Sequence, residues 1–463
     1  MVLIIILSPK SERKDLSSHR HHRPVEIILR FQKINMLVNR LTLAAALFVS
    51  NLANVNANGH HEEGVCSNRD TGGNGAMGPP QLVLSFSKID YNWDDDHLEQ
   101  EYLDSDAFMP DVNVITGIKV GPGVATDPRN TNLFLTVPRW FGGVPSTLNR
   151  VTVDMTLPDN FFPISDPVLD PWPSWEMQEV GNCDALQYVQ SMEIDNDGLM
   201  WVIDTGRVDI FTDSPINDCP PKLVILDVET GEMLGEPYIF PTEVAPHDSV
   251  FFNDITIDNV NKVAYISDMT GTNEDGAFGA LIVFDLESRS SMRFVHRSMY
   301  PEIGHEWFFK NESIGRNAFG AAINGVALTP DSSRLFYSAL QQSGNTYSID
   351  TISLRKALSD GDPTIDWAAV LINHGPRRSF TDGMTFDCAG NLFHSSLNEG
   401  SFYSWDSSSV ESPLAAGILA WEDTDETCGT WWTDTYAWDD EVRYFVLFSL
   451  FSLFSGITHV PSF

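Results

Sequence analysis

Basic residues are scarce in this chain of 463: 28 Lys and Arg stand against 64 Asp and Glu, a formal charge of −36. A nucleic-acid ligand requires a basic footprint, so that class of partner is excluded as the default. The acidic surplus suits cationic ligands, metal ions or plain solubility. Cysteine is also rare. The five present, Cys66, Cys183, Cys219, Cys388 and Cys428, are too few for a disulfide scaffold. They form no CxxC pair, so no zinc knuckle or thiol redox motif is visible. Cys183 and Cys219 flank one copy of a repeated phrase and are placed to bridge a loop; an odd count leaves one cysteine over. No GxSxG occurs, which argues against serine-triad hydrolysis. The glycines of GGNGAMGPP, 72–80, have no strand before them and no helix after, so they are not a phosphate loop. No apolar run reaches the roughly 20 residues of a membrane span.

What is abundant is one phrase. Thr381 to Gly400 reads TDGMTFDCAGNLFHSSLNEG, two short alternating strands around a turn at Cys388-Ala389-Gly390. An apolar-x-apolar-Asp core of this kind recurs at 121–139, 189–207, 252–271, 323–342 and 432–446. One register position then holds Pro122, Gln190, Asn253, Asn324, Asp382 and Asp434, at spacings of 68, 63, 71, 58 and 52 residues. A third strand usually follows, as in LVILDVETG at 223–231 and LIVFDLESR at 281–289. Each unit is a small antiparallel sheet that cannot bury both faces alone, whereas six arranged radially can. The repeat therefore predicts an all-β, six-bladed β-propeller. A sandwich would not repeat its own phrase six times, and a solenoid would keep a shorter, stricter period. The units exceed the about 40–45 residues of WD40 repeats, so the excess belongs in loops.

Taken in order, residues 1–35 are basic and read as a gene-model extension. Residues 36–57, starting at Met36, have the charged start, apolar centre and small-residue end of a secretory signal. Residues 58–80 are a flexible lead-in, and 81–446 the propeller. The strand at Leu82 to Trp93 is expected to pair into the last blade and clasp the ring. Asn311-Glu312-Ser313 is an N-glycosylation sequon in a long inter-blade loop. After Asp440 the pattern fails, and 447–463 reads as an aberrant hydrophobic tail that leaves the last blade incomplete. The expectation is a secreted, extracellular monomer without a membrane span.

Strand-start residues at one register face the same end of a propeller channel. Gln190, Asn253, Asn324, Asp382 and Asp434 are polar there, and Asp254 and Thr381 add acceptors. Such oxygens suit Ca²⁺, which takes six to eight, or a protonated amine through charge-assisted hydrogen bonds. The blander reading is that Asn and Asp at strand ends satisfy turn backbone. No cofactor is required on either reading; Ca²⁺ is the candidate ion.

The phrases LMWVIDTGRVD, DCPPKLVILDVETG, AYISDMTGTNEDGAFGALIVFDLES, ALTPDSSRLFYSAL and TYSIDTISLR, with the TDGMTFD stretch, resemble the major royal jelly protein/yellow family over about 82–446. The resemblance implies a secreted six-bladed propeller with a ligand site at one channel mouth. It also implies binding of biogenic amines such as serotonin, or a dopachrome-converting role in melanin formation. Asn196-Asp197 stand where the family usually has a cysteine, so its disulfide pairing is not carried over. For an amine, the ring partners are Phe319, Tyr188 or Phe380, and the ammonium partners Asp382 or Asn398. For a dopachrome isomerase, the acid/base candidates are His247, His296, His305, His374 and His394, with no further signal to choose among them. Asn253, Asn324 and Asp382 also resemble the calcium ligands of gluconolactonase-type propellers, which implies a metal-dependent lactonase. That family's glutamate is replaced here by neutral Gln190. Glu193 lies at an odd offset, which strand alternation turns to the other face.

Overall fold

A computed structural model describes residues 2–7 and 81–450, except 125–126, 155–162, 271, 274–275, 278, 303–305, 310–311, 317–320, 343, 423–430 and 439–443. The architecture is a β-propeller. Five four-stranded sheets follow one another along the chain. Their innermost strands are Gly117–Val124, Val189–Ile194, Phe252–Asp258, Ile323–Leu328 and Met384–Phe386. A further, five-stranded sheet runs Trp431–Trp438, Tyr444–Leu450, Val2–Leu7, Gln81–Phe86 and Ile164–Ser165. Its strand Trp431–Trp438 touches the innermost strands of both the first and the fifth blade, so the inner strands close a ring.

Gln81–Phe86 joins the sheet that holds Trp431–Trp438, with Tyr444–Leu450 and Val2–Leu7 between them. One sequence expectation changes here. The apolar run after Asp440 does contain a further strand, Tyr444–Leu450, paired antiparallel with Trp431–Trp438. An apolar stretch of that length is compatible with a strand even without alternation.

The blades are apolar on both faces, and period-two geometry divides each strand between two interfaces. Met200 and Val202 pack with Phe134, Leu148 and Trp172 of blade one. Trp201 and Ile203 pack with Ile255, Ile257 and Ile266 of blade three. The same division puts Tyr337 against blade three and Phe336 against Leu392 and Trp405 of blade five. Each such large side chain, fully buried, contributes about 1.5–3 kcal/mol.

The aspartate of the repeated phrase is a turn former. The Asp195 carboxylate accepts from the amides of Asp197 (2.9 Å) and Leu199 (3.0 Å), and Asp387 accepts from Ala389 (3.0 Å) and Asn391 (2.8 Å). Asp258 does likewise for Val260 and Asn261. These Asx-type turns close the first hairpins of blades two, three and five at the end of the channel opposite the strand starts.

Candidate functional site

At the other end, buried aspartates organise the loops. Asp204 ends the second strand of blade two and is fully buried. It accepts from the amides of Gln187 (2.8 Å), Tyr188 (2.9 Å) and Gly206 (2.8 Å). Lys222, also fully buried, stands 3.4 Å away and donates to the carbonyls of Cys183 and Ala185. Cys183 is disulfide-bonded to Cys219, Cα atoms 5.2 Å apart, as the sequence allowed. Cys388 is disulfide-bonded too. Blade three repeats the device: Asp268 accepts from Phe251 (3.0 Å) and Thr270 (2.9 Å) amides and pairs with Arg293 at 2.6 Å. The sequence phrases IDTG and SDMTG are thus loop anchors.

The strand-start residues sit on β-bulges. In blades two, three and four one extra residue is inserted after Val189, Phe252 and Ile323, and again after Thr433. Gln190, Asn253, Asn324 and Asp434 occupy these bulges, where pairing is interrupted. Asn253 donates to Asn324 at 2.7 Å, and Asn324 reaches Met269 Sδ at 3.5 Å. The Asp254 carboxylate accepts from Ser191 Oγ (3.2 Å) and from the Val326 amide (3.0 Å). Gly325 packs against Asp382, whose carbonyl lies 2.4 Å from where a Cβ would stand. Asn253, Asp254, Asn324 and Asp382 therefore adjoin one another along the inner strands of blades three to five.

Gln190 looks elsewhere. Its Oε1 accepts from Tyr188 Oη (2.7 Å) and Trp140 Nε1 (3.1 Å). That bond ties the ring of strand starts to an aromatic cluster of Trp140, Phe141, Tyr188, Phe211 and Phe251, which also holds Met269. Tyr188 is fully buried and is a support for this cluster rather than a free ring face. Thr381 is buried and donates to the Ser395 carbonyl (2.8 Å), and the Asn398 amide donates to Ser379 Oγ (3.1 Å) beside Phe380, all in blade five. Phe319, Asn311 and His305 lie outside the described residues, and so does the side chain of Asp434.

Behind the strand starts the channel holds a cavity of about 100 Å³ lined by Lys119, Glu193, Asp254, Thr256, Thr385 and Tyr436, among others. Lys119 Nζ donates to Glu193 at 2.9 Å and to the Tyr436 carbonyl at 3.4 Å. Burial pulls the Lys119 ammonium down, but the charges of Glu193 and Asp254 outweigh it and hold it above its ordinary value. Burial pushes the Asp254 carboxyl up, against the pull of Lys119.

Sequence reasoning missed both partners, for two physical reasons. Glu193 faces the channel because the bulge adds a residue and reverses parity. Val189 and Met192, three apart across the bulge, likewise share one cluster. Lys119 was missed because blade one has a longer first hairpin: Gly117 pairs with Thr136, where Val189 pairs with Asp204. The register position of blade one is therefore Ile118, and Pro122 is exposed in the irregular part of the strand. Polar pairs such as Asn253-Asp254 at a strand start were the available signal for a bulge.

The Asn324 oxygen is taken by Asn253, the Gln190 oxygen by Tyr188 and Trp140, and an ammonium stands in the channel. Among the described residues no group of three or more His, Cys, Asp or Glu could hold a metal ion. The described candidate histidines are engaged locally. His247 is 3.3 Å from the Phe240 carbonyl, His296 stacks on Trp367, and His374 stacks on Phe336 and bonds Ser348 Oγ at 2.7 Å.

His394 is 2% exposed. Its Nδ1 donates to the Ser395 carbonyl (3.1 Å), which leaves Nε2 as the unprotonated nitrogen. Burial pulls its pKa down to about 4, helped by the charges of Arg377 and Arg378. A base depressed on folding contributes full stability above its unfolded pKa, near 6.5, and loses it as pH falls toward 4. The loss reaches about 3 kcal/mol. Melting temperatures between pH 7.5 and 4 should fall more steeply for wild type than for His394→Gln; parallel curves would refute this assignment.

The family model described as major royal jelly protein matches residues 187–428, just over half of the chain. Protein yellow of Drosophila erecta is 26% identical over 351 residues, covering 74% of this chain and 60% of the relative. Protein yellow of Drosophila melanogaster is 27% identical with the same coverage. The chain thus spans about 60% of the length of these relatives. Among solved structures, a gluconolactonase of Xanthomonas campestris aligns at TM-score 0.40 and 10% identity, over 73% of this chain and 87% of that one. A luciferin-regenerating enzyme aligns at TM-score 0.40 and 11% identity, over 73% and 92%. Neither likeness bears on function at those values. Repeat, blade order and family match together place this chain in the major royal jelly protein/yellow family.

Proposed function

We propose that the five-stranded sheet serves as a sixth blade and that the mouth of the resulting ring binds a small cationic aromatic molecule of the biogenic-amine type. The observation that carries the reading is the meeting of two surfaces. Trp140, Phe141 and Phe211 belong to an aromatic cluster, and Met269 of that cluster accepts from Asn324, which is bonded to Asn253 and adjoins Asp382. An aromatic face with converging oxygens suits a ring that carries an ammonium. A formal charge of −36 favours capture of cations. Export from the cell is supported by the Cys183–Cys219 bridge, which persists in oxidising compartments.

Titration calorimetry with serotonin, dopamine and histamine tests it. The expected result is micromolar binding of at least one aryl amine, about −8 kcal/mol. Neutral analogues without the ammonium should bind about tenfold more weakly or less. No heat from any amine at high protein concentration would refute the reading.

One observation favours a second reading, a dopachrome-type isomerase. Asp254, pushed up by burial, faces Lys119 across the channel, an acid and a base side by side. Dopachrome absorbance followed with purified protein decides it; a rate equal to buffer alone ends it.

A further inference from the structure

The mouth carries one carboxylate that no sequence motif marks. Asp209 lies in the loop after the second strand of blade two, in the left-handed region at φ 58°. Its backbone is stapled to blade one: the Asp209 amide donates to the Arg139 carbonyl (3.0 Å) and the Phe211 amide to the Trp140 carbonyl (3.1 Å). The carbonyl of Asp209 receives Thr212 Oγ1 at 2.8 Å, so the turn is closed from both sides.

The side chain is not closed. Asp209 Oδ1 is buried and, among the described residues, has no hydrogen-bond partner. It lies over the backbone of Gly142, 3.4 Å from where a Cβ would stand. Two arginines are near in the fold, and neither serves it. Arg139 donates to five main-chain carbonyls, those of Val144, Pro145, Gln178, Leu186 and Gln187. Arg207 donates to Asn217 Oδ1 and the Val250 carbonyl. Burial pushes the Asp209 carboxyl up. The neighbouring residues are the partly buried Phe211 and Phe141, with Trp140 5.6 Å from the Phe211 ring.

A carboxylate oxygen kept buried and unbonded is costly, and such groups in native folds gather at functional sites. We infer that Asp209 is the counter-ion for the ammonium of the mouth ligand, with the ligand's ring against Phe211 and Phe141. This rests on the amine-binding reading and moves the charge contact from blade five, where Asp382 stands, to the blade-two loop. Charge-assisted bonding to a partly desolvated carboxylate is the chemistry that separates an amine from its neutral analogue.

The test compares serotonin with 5-hydroxytryptophol, the alcohol in which a hydroxyl replaces the ammonium, by calorimetry on wild type and Asp209→Asn. Asparagine keeps the shape and tolerates the left-handed backbone. Asp209→Gly, which that backbone favours, is the second variant should asparagine fail to fold. Wild type should prefer the amine, and both Asp209 variants should lose about tenfold or more in amine affinity while holding the alcohol. A wild type that prefers the amine with an Asp209→Asn variant that prefers it equally overturns this inference and leaves the proposed function standing. A wild type that binds no amine overturns both. Melting temperatures of the Asp209 variants should equal or exceed wild type, since an unbonded buried charge has been removed.

Discussion

Replacing Lys222 with methionine should destabilise the fold by about 3–5 kcal/mol, the cost of stripping the partner from a buried charge. Lys222 and Asp204 are both fully buried at 3.4 Å. The lysine also donates to the Cys183 and Ala185 carbonyls, so methionine leaves one carboxylate uncompensated and removes two main-chain bonds. Asp204 holds the amides of Gln187 and Tyr188, and Tyr188 supports Gln190. Loss should therefore appear twice: as a fall in denaturant midpoint, and as weakened amine binding in whatever fraction stays folded. The double variant Lys222→Met with Asp204→Asn should recover part of the stability, because asparagine still accepts from the amides without a charge. An unchanged midpoint for the single variant would show that the pair is not desolvated in solution.

The second large effect is expected at Arg139. The guanidinium is 2% exposed and all five of its bonds go to main-chain carbonyls at 2.6–2.9 Å. Burial pulls it down to about 10, still ionised at neutral pH. It gathers the loops at 144–145, at 178 and at 186–187, which are the walls of the mouth beside the aromatic cluster. Arg139→Met leaves five acceptors without that donor. At about 1–3 kcal/mol for each unsatisfied buried group, reduced by relaxation and entering water, the net cost is roughly 5 kcal/mol. Arg139→Lys should recover only part of this, since an ammonium offers three donors against five. Chemical denaturation of the three proteins checks it. Equal stability of the lysine and arginine forms would mean that the fork geometry is not needed.

These two effects differ in how far the sequence announced them. Asp204 was visible in the phrase VIDTG, and its role as a loop anchor follows from an acceptor two residues before a glycine with φ 74°. Arg139 and Arg207 occupy the same place in the first two copies of the repeat, a coincidence the chain displays but does not explain. Only contacts between loops tens of residues apart turn Arg139 into a hub. The strand-start set was readable as a set because each residue leads the same phrase. Which members touch was not, since Asn253 meets Asn324 while Gln190 turns toward Trp140.

By itself the sequence determined what is local. Alternation over six residues divides Met200 and Val202 from Trp201 and Ile203, and an aspartate four or five residues ahead of the return strand closes the first hairpin of blades two, three and five. Both depend on chain neighbours and so survive without knowledge of the rest. Tertiary structure alone decided the contents of the channel. One bulge residue reversed the facing of Glu193, four further residues in a hairpin moved Lys119 into place, and Asp254 met them from a third blade. Facing and register are cumulative along a strand, so a single inserted residue, invisible in composition or period, redirects every side chain beyond it.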